Sequence, residues 1–522
     1  MSLDAFLYNL HFDIEKVRPS DWEVDWDDAP LTYKLYRELP VVPLSLEVPL
    51  SLENRGRSIK FDLHGIGHFL WYVFGLTQIS ESVSTLGSID QEADFMQSYR
   101  RFIPSGGALY PNELYIYLKI EDLPAGVYHY DVAHHRLVLL REGNFDSYIS
   151  RALGNRCEIS DCFGTVFVST MFWKNFYKYN NFAYRLQGLD TGVLIGQLLE
   201  VAKRFGFESR VYFQFLDRAI NHLLGLSEQE ENVYAIIPLS LDKIPLMTGN
   251  DKAGDICADE LSLELRAIQC NHYVRSRKVK EYSMLVKMNE ASMIRSTTSF
   301  REINVEENVN NEVQSLALPQ VPQLSYDLAS VCRKRFSPDV DFILGKVSQT
   351  QLATLLKESM DAYSYLNDIN EEKCEPRIAL YGCLYNVEGI PNGAYHYDNV
   401  THSLRQEHPG DHRSQLQYGT SGSNVNIFQI PICLHVVGEK NFSKTVLGYR
   451  GYRIQQMEAG MLVQRLLLIA TAIGMGGHPL LGFEVNSCDE IYHLSSNGNT
   501  SLIQIPIGPY RHRPWLRGSL HS

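Results

Sequence analysis

Pro104-Ser-Gly-Gly-Ala-Leu-Tyr-Pro111 is the segment whose residue types best suit chemistry. Two glycines beside a serine, fenced by prolines, lead into the alternating run Glu113-Leu-Tyr-Ile-Tyr-Leu118. Such a loop lets backbone N–H groups approach a flat ligand, because no Cβ stands in the way. A tight turn ahead of a strand uses the same residues, so composition leaves both readings open. The other candidates are weaker. Nine cysteines form no Cys-x-x-Cys pair and have no histidine partners at zinc spacing, so reduced thiols and no metal site are expected. His129 and His396 lie in matching strand segments and are read as structural. Arg185 and Arg453 stand at helix entrances, where each could tie a loop to a carboxylate such as Asp190 or Glu458.

The elements that must hold these residues come in two copies. Gly126-Val-Tyr-His-Tyr-Asp131 recurs as Gly393-Ala-Tyr-His-Tyr-Asp398 at an offset of 267, and Tyr184-Arg-Leu-Gln-Gly-Leu-Asp190 recurs as Tyr452-Arg-Ile-Gln-Gln-Met-Glu458 at 268. A spacing kept to one residue over about 80 positions implies duplicated domains rather than stacked motifs. Each half reads as helix (64–74, 350–362), strands (113–118, 378–381), a Tyr-His-Tyr-Asp hairpin segment, an apolar strand (164–169, 430–437) and a long apolar helix (192–205, 461–472). Gly206 and Gly474 are the stop signals of the long helices. That order with local hairpins predicts an α+β fold. The expected boundaries are an N-terminal arm over 1–50, a first domain over 51–240, a connector over 241–327 with a helical stretch at 260–279, and a second domain over 328–516. The arm, with Trp22 and Trp26, is expected to be irregular and to pack on something.

The chain has 522 residues, 44% hydrophobic and 21% charged, which suits a folded protein with at least two cores. A formal charge of −13 speaks against nucleic acid and anionic membrane as partners. No apolar run reaches the length of a spanning helix, and the N-terminus carries no basic stretch ahead of an apolar one, so a cytoplasmic location is expected.

Arg101-Phe-Ile-Pro-Ser-Gly-Gly-Ala-Leu-Tyr-Pro111, Gly126-Val-Tyr-His-Tyr-Asp131, Lys178-Tyr179 and Tyr184-Arg185 together resemble the SagB-type branch of the FMN-dependent nitroreductase superfamily. The lead-in Asp25-Trp-Asp-Asp-Ala-Pro30, with Lys34 and Tyr36, adds to the resemblance. It covers most of residues 25–240 and, more weakly, 328–515. The resemblance implies two tandem nitroreductase-like domains forming an intramolecular pseudo-dimer, with further dimerisation left open. It also implies FMN at the interface between halves, and oxidation of thiazoline or oxazoline rings to azoles in ribosomally made peptides.

Only the first half keeps the Pro-Ser-Gly-Gly loop, because Glu372-Lys-Cys-Glu-Pro-Arg377 replaces it in the second. One complete flavin site is therefore expected. The resemblance assigns Arg101, Pro104, Ser105, Gly106 and Gly107 from the first half to it, and Arg333, Lys334, Arg335, Gly476, Arg511 and Arg513 from the second. An alternative phosphate site falls on Arg57, Ser58 and Lys60. Lys178 and Tyr179 take the place of a catalytic Lys-Tyr pair, with a Lys desolvated by aromatic neighbours as the base.

Three rival readings stay open. One is reduction of dehydroamino acids in lanthipeptides, the second an NAD(P)H-dependent nitro or quinone reductase, and the third a flavin-free scaffold of a peptide-modifying complex. The expected partners are a peptide or small heterocycle as substrate and a cyclodehydratase or other peptide-modifying enzyme.

Overall fold

The computed structural model describes residues 1–19, 21–53, 62–84, 94–244, 255–303, 315–361, 364–370, 377–422, 424–512 and 517–519, with backbone alone for 80–84, 94–97 and 517–519. The duplication is plain in its topology. One seven-stranded sheet runs Val41–Pro43, Arg136–Glu142, Gly126–Asp131, Asn112–Leu118, Gly164–Met171, Glu231–Ser240, Glu208–Ser209. The other runs Ser315–Ala317, Ser403–Pro409, Gly393–Asp398, Ile378–Leu384, Ile432–Glu439, Asn499–Gly508, Gly476–Gly477. The order is the same, and every pair is antiparallel. Even the irregularities repeat. The register shifts at Val127/Tyr128 and Ala394/Tyr395, and again at Val168/Ser169 and Val436/Val437, which is how an inherited bulge behaves. A small third sheet pairs Arg517–Ser519 with Gln78–Ser84, which pairs with Asp94–Arg100, and so returns the chain's end to the first half.

Two helices of 23 residues, Ala183–Phe205 and Arg450–Ala472, pack against each other at the centre. Both begin earlier than their apolar pattern predicts, because their first turns bury polar residues through specific bonds. Arg185 donates to Leu502 O (2.6 Å), and Arg450 donates to Asp217 (2.7 and 2.9 Å) and, through Nε, to Phe213 O (2.5 Å). The crossing requires glycine. A Cβ on Gly192 would fall 1.9 Å from Met457 O, and one on its counterpart Gly460 would fall 2.2 Å from Leu189 O. Beside this contact Tyr184 stacks on its counterpart Tyr452, with ring centroids 5.9 Å apart, and Gln464 donates to Gln197 (2.8 Å). One apolar core therefore runs through both halves. Gly192→Val should cost about 3 kcal/mol or more through overpacking. A thermal melt checks this, and an unchanged Tm would contradict the crossing.

The connector differs from its sequence pattern. Only Ala258–Ser262 is helical within 260–279, and a second helix forms over Ser283–Ser292. The intervening chain is extended because its backbone pairs with the arm: Arg37 N–H donates to Asn271 O (3.0 Å) and Tyr273 N–H to Leu35 O (2.8 Å). Leu263, within the stretch expected to be helical, is 85% exposed. The arm holds a helix that the sequence did not announce, Leu3–Phe12, which reaches the second half through the ion pair of Asp4 with Lys444. Trp22 donates to Tyr177 O (3.1 Å) and packs edge-on against Phe176.

Candidate active site

Ser105 is the hub of the glycine loop. Its Oγ donates to Asp190 Oδ2 (2.7 Å) and accepts from Tyr110 N–H (2.9 Å), while Gly106 N–H donates to Asp190 Oδ1 (3.3 Å). The loop is further fixed from below. The buried ammonium of Lys174 donates to Tyr110 O (3.3 Å) and pairs with Glu113, which also holds His129 (2.8 Å). Gly107 has φ +63°, where only glycine rests without strain. A Cβ there would stand 2.6 Å from the Tyr179 hydroxyl and 2.8 Å from Lys178 Nζ. The Lys-Tyr pair and the loop, more than 70 residues apart in sequence, are therefore one unit.

Lys178 sits in the last turn of the helix Trp173–Tyr179, which Asn180 (φ 45°) ends. Its Nζ lies 5.3 Å from the centroid of Trp26 and 5.0 Å from that of Tyr179. Burial lowers its pKa, and no carboxylate pairs with it among the described residues. Tyr179 is pushed up to about 12 by burial, then by the neighbouring carboxyl of Asp190 and by Tyr177. The two neighbours are driven in opposite directions, toward a neutral amine and a protonated phenol, which suits a base beside a hydrogen-bond donor.

These groups line a cavity of about 570 Å³ between the halves. The first half supplies Arg100, Arg101 and Pro104 to Gly107, and the second supplies Arg335, Phe336 and His478. Arg335 ties the halves together, donating Nε to Phe102 O (2.7 Å) and Nη1 to Ser337 Oγ (3.3 Å). Arg101 is buried between the rings of Phe74 and Tyr110, bonded to Phe74 O (3.2 Å) and Thr32 O (2.9 Å), and its Nη1 has no partner among the described residues. A cavity of this size, with a glycine edge, an orphaned guanidinium N–H and two further arginines, fits a flat ring carrying a phosphate.

Of the residues assigned from sequence, the cavity gathers Arg101, Pro104, Ser105, Gly106, Gly107, Lys178, Tyr179 and Arg335. Arg333 turns away to donate to Leu50 O (2.8 Å), Lys334 and Arg511 are exposed off the cavity wall, and Gly476 packs beside Pro338 and Tyr510. Arg57, Ser58, Lys60 and Arg513 lie outside the described residues. Asp190 and Glu458 are not the partners of Arg185 and Arg453. Arg453 donates across the interface to Asp217 (3.3 Å), because the helix crossing turns both arginines toward the opposite half. Sequence reasoning missed Arg100, which precedes Arg101, and His478, which follows Gly477.

The matching position in the second half keeps a smaller cavity, about 350 Å³, but among the described residues it lacks the groups of the first. Glu458, the counterpart of Asp190, is occupied by Arg377 (Nε, 3.1 Å) and by the Tyr365 hydroxyl (2.8 Å), and Val446 and Leu447 stand where Lys178 and Tyr179 would be.

Asp190 is buried, and burial raises its pKa from 3.8 to about 7 against the opposing bonds from Ser105 and Gly106. The folded chain therefore holds this proton where the unfolded chain has lost it, so the carboxyl's contribution to stability falls as pH rises from about 4 to about 7 and then levels off. Replacement by Asn removes that slope. The Tm of Asp190→Asn relative to wild type should be higher at pH 8 than at pH 5 by about 2 °C, and an equal difference at both would contradict the buried carboxyl.

Among the described residues no helix is long and apolar enough to cross a membrane, and no cluster of three or more His, Cys, Asp or Glu could hold a metal ion.

Comparison with known proteins fits this geometry. Residues 387–508 match the Nitroreductase family. The chain is 30% identical over 136 residues to the trifolitoxin-processing protein TfxB of Rhizobium leguminosarum bv. trifolii, covering 24% of this chain and 36% of that protein. It is 29% identical over 138 residues to the microcin B17-processing protein McbC of Escherichia coli, covering 25% and 51%. The chain thus spans between a third and a half of the length of these relatives. A solved nitroreductase-type structure from Anabaena variabilis superimposes with a TM-score of 0.73 at 20% identity, covering 98% of this chain and 99% of that one.

Proposed function

From a chain built as two tandem nitroreductase folds, the second carrying nitroreductase-family sequence, we propose an FMN-dependent oxidoreductase that dehydrogenates thiazoline or oxazoline rings in a ribosomally made peptide. The observation that carries this reading is the seating of Lys178 and Tyr179 on Gly107, at the edge of a cavity between halves. The relatives TfxB and McbC, named for processing trifolitoxin and microcin B17, support the peptide as substrate.

Arg101, Arg335 and the glycine loop would hold FMN, with Arg335 and Arg100 nearest in chemistry to what its phosphate needs. FMN, when bound, would supply the hydride acceptor, with oxygen as the terminal oxidant. Lys178, as the neutral amine, takes the proton that leaves the ring carbon. Tyr179, still protonated at working pH, donates a hydrogen bond that orients the heterocycle. Asp190 fixes the loop by holding Ser105 and Gly106. A ring-closing cyclodehydratase must supply the azoline, so such an enzyme is the partner proposed.

The test is direct. FMN-loaded protein given a synthetic thiazoline peptide in air should remove two hydrogens and form a thiazole, read by mass and by absorbance. Turnover of NADPH with nitroarenes, and none with any azoline, would overturn the reading.

A further inference from the structure

A second groove opens from the cavity at the Lys-Tyr pair. It measures about 580 Å³ and shares Lys178, Tyr179, Phe182, Leu481 and Gly482 with the first cavity, so the two meet where the proposed base stands. One wall is the arm, through Leu10, Ile14, Trp22 and Val24, and the other is the second half, through Leu481 and Phe483. Ile14 is an exposed apolar side chain on that wall. The groove exists only because the arm lies across the halves, held by Trp22 on Tyr177 and by Asp4 on Lys444.

We propose that this groove binds the peptide chain flanking the reacting heterocycle. The inference rests on the function proposed above, and three observations favour this occupant. The groove is continuous with the site through Lys178 and Tyr179. Its volume exceeds what a lone five-membered ring needs and suits several residues of extended chain. Its charge is wrong for a dinucleotide. Asp13, Glu15 and Glu484 line it, whereas Arg18 is paired with Glu15 (3.8 Å) and Arg185 is buried on Leu502 O (2.6 Å). A pyrophosphate would meet three carboxylates against one exposed arginine, whereas a neutral or cationic peptide suits that balance.

The test uses the FMN-loaded full chain and a synthetic octapeptide with one thiazoline and a diazirine side chain two residues away. After irradiation, labels should fall within residues 10–24 and 481–485. The octapeptide's KM should be at least tenfold below that of 2-methylthiazoline. Ser421→Trp, an exposed groove residue of the second half, should raise the peptide's KM at least tenfold more than that of the free ring. Labels elsewhere or none, equal KM values for the two substrates, or displacement of the labels by NADPH would overturn the groove assignment. If both thiazolines are oxidised while the labels fall elsewhere, the groove fails and the function stands. If neither is oxidised, the function itself fails.

Discussion

Lys178→Ala protein is expected to stay yellow with bound FMN while its dehydrogenation rate falls by about a thousandfold, the share a positioned base supplies. The side chain bonds no loop residue and pairs with no carboxylate among the described residues, so its removal leaves the hydrogen bonds of Ser105, Gly106 and Asp190 in place. What disappears is an amine whose pKa burial lowers. In the wild type the rate should therefore climb with pH through a limb below the ordinary lysine range of about 10.4, and the variant should lack that limb. Lys178→Arg should not rescue the rate, since a guanidinium stays charged and cannot accept the proton. Single-turnover rates across pH check all three statements. Full activity in Lys178→Ala would remove the base from the account.

Arg335→Ala should weaken FMN binding by about a hundredfold, the loss of one or two charge-assisted bonds to phosphate. Arg335 lines the cavity and is anchored by Phe102 O and Ser337, so its guanidinium is already oriented before a ligand arrives. Arg511 is exposed and off the wall, and Arg511→Ala should change the affinity less than about threefold. Fluorescence titration of the flavin-free variants gives both numbers. Retained affinity in Arg335→Ala together with loss in Arg511→Ala would move the phosphate off this cavity wall to the surface beside Arg511.

The sequence carries the duplication because inherited punctuation survives where side chains drift. The Tyr-His-Tyr-Asp segments, the two long helices and even the bulges keep one offset to within a residue. The first turns of the long helices were illegible because Arg185 and Arg450 are buried by partners hundreds of residues away, which no apolar period records. The connector differs from the expected helix because backbone pairing with the arm decides its conformation beyond Ser262, and a partner more than 200 residues away in sequence leaves no local signal. At the site, the glycine loop and the Lys-Tyr pair were legible as motifs, but their seating on each other was not. Among Arg333, Lys334 and Arg335, composition gives three equal cations. Only the helix Leu328–Lys334 and its exit angle turn Arg335 toward the cavity and Arg333 toward Leu50. Asp190 stood out in sequence merely as a carboxylate near an arginine, because its partner Ser105 lies 85 residues away.

The central claim is a single flavin site in a chain with two nitroreductase folds. It is the inequality between Asp190, which holds a glycine loop, and Glu458, which is filled by Arg377 and Tyr365, that sets the number. Saturating the protein with FMN, removing the excess and measuring flavin absorbance against chain concentration tests it most directly. One FMN per chain is expected. Two per chain would contradict the single site, and none would contradict the flavoenzyme.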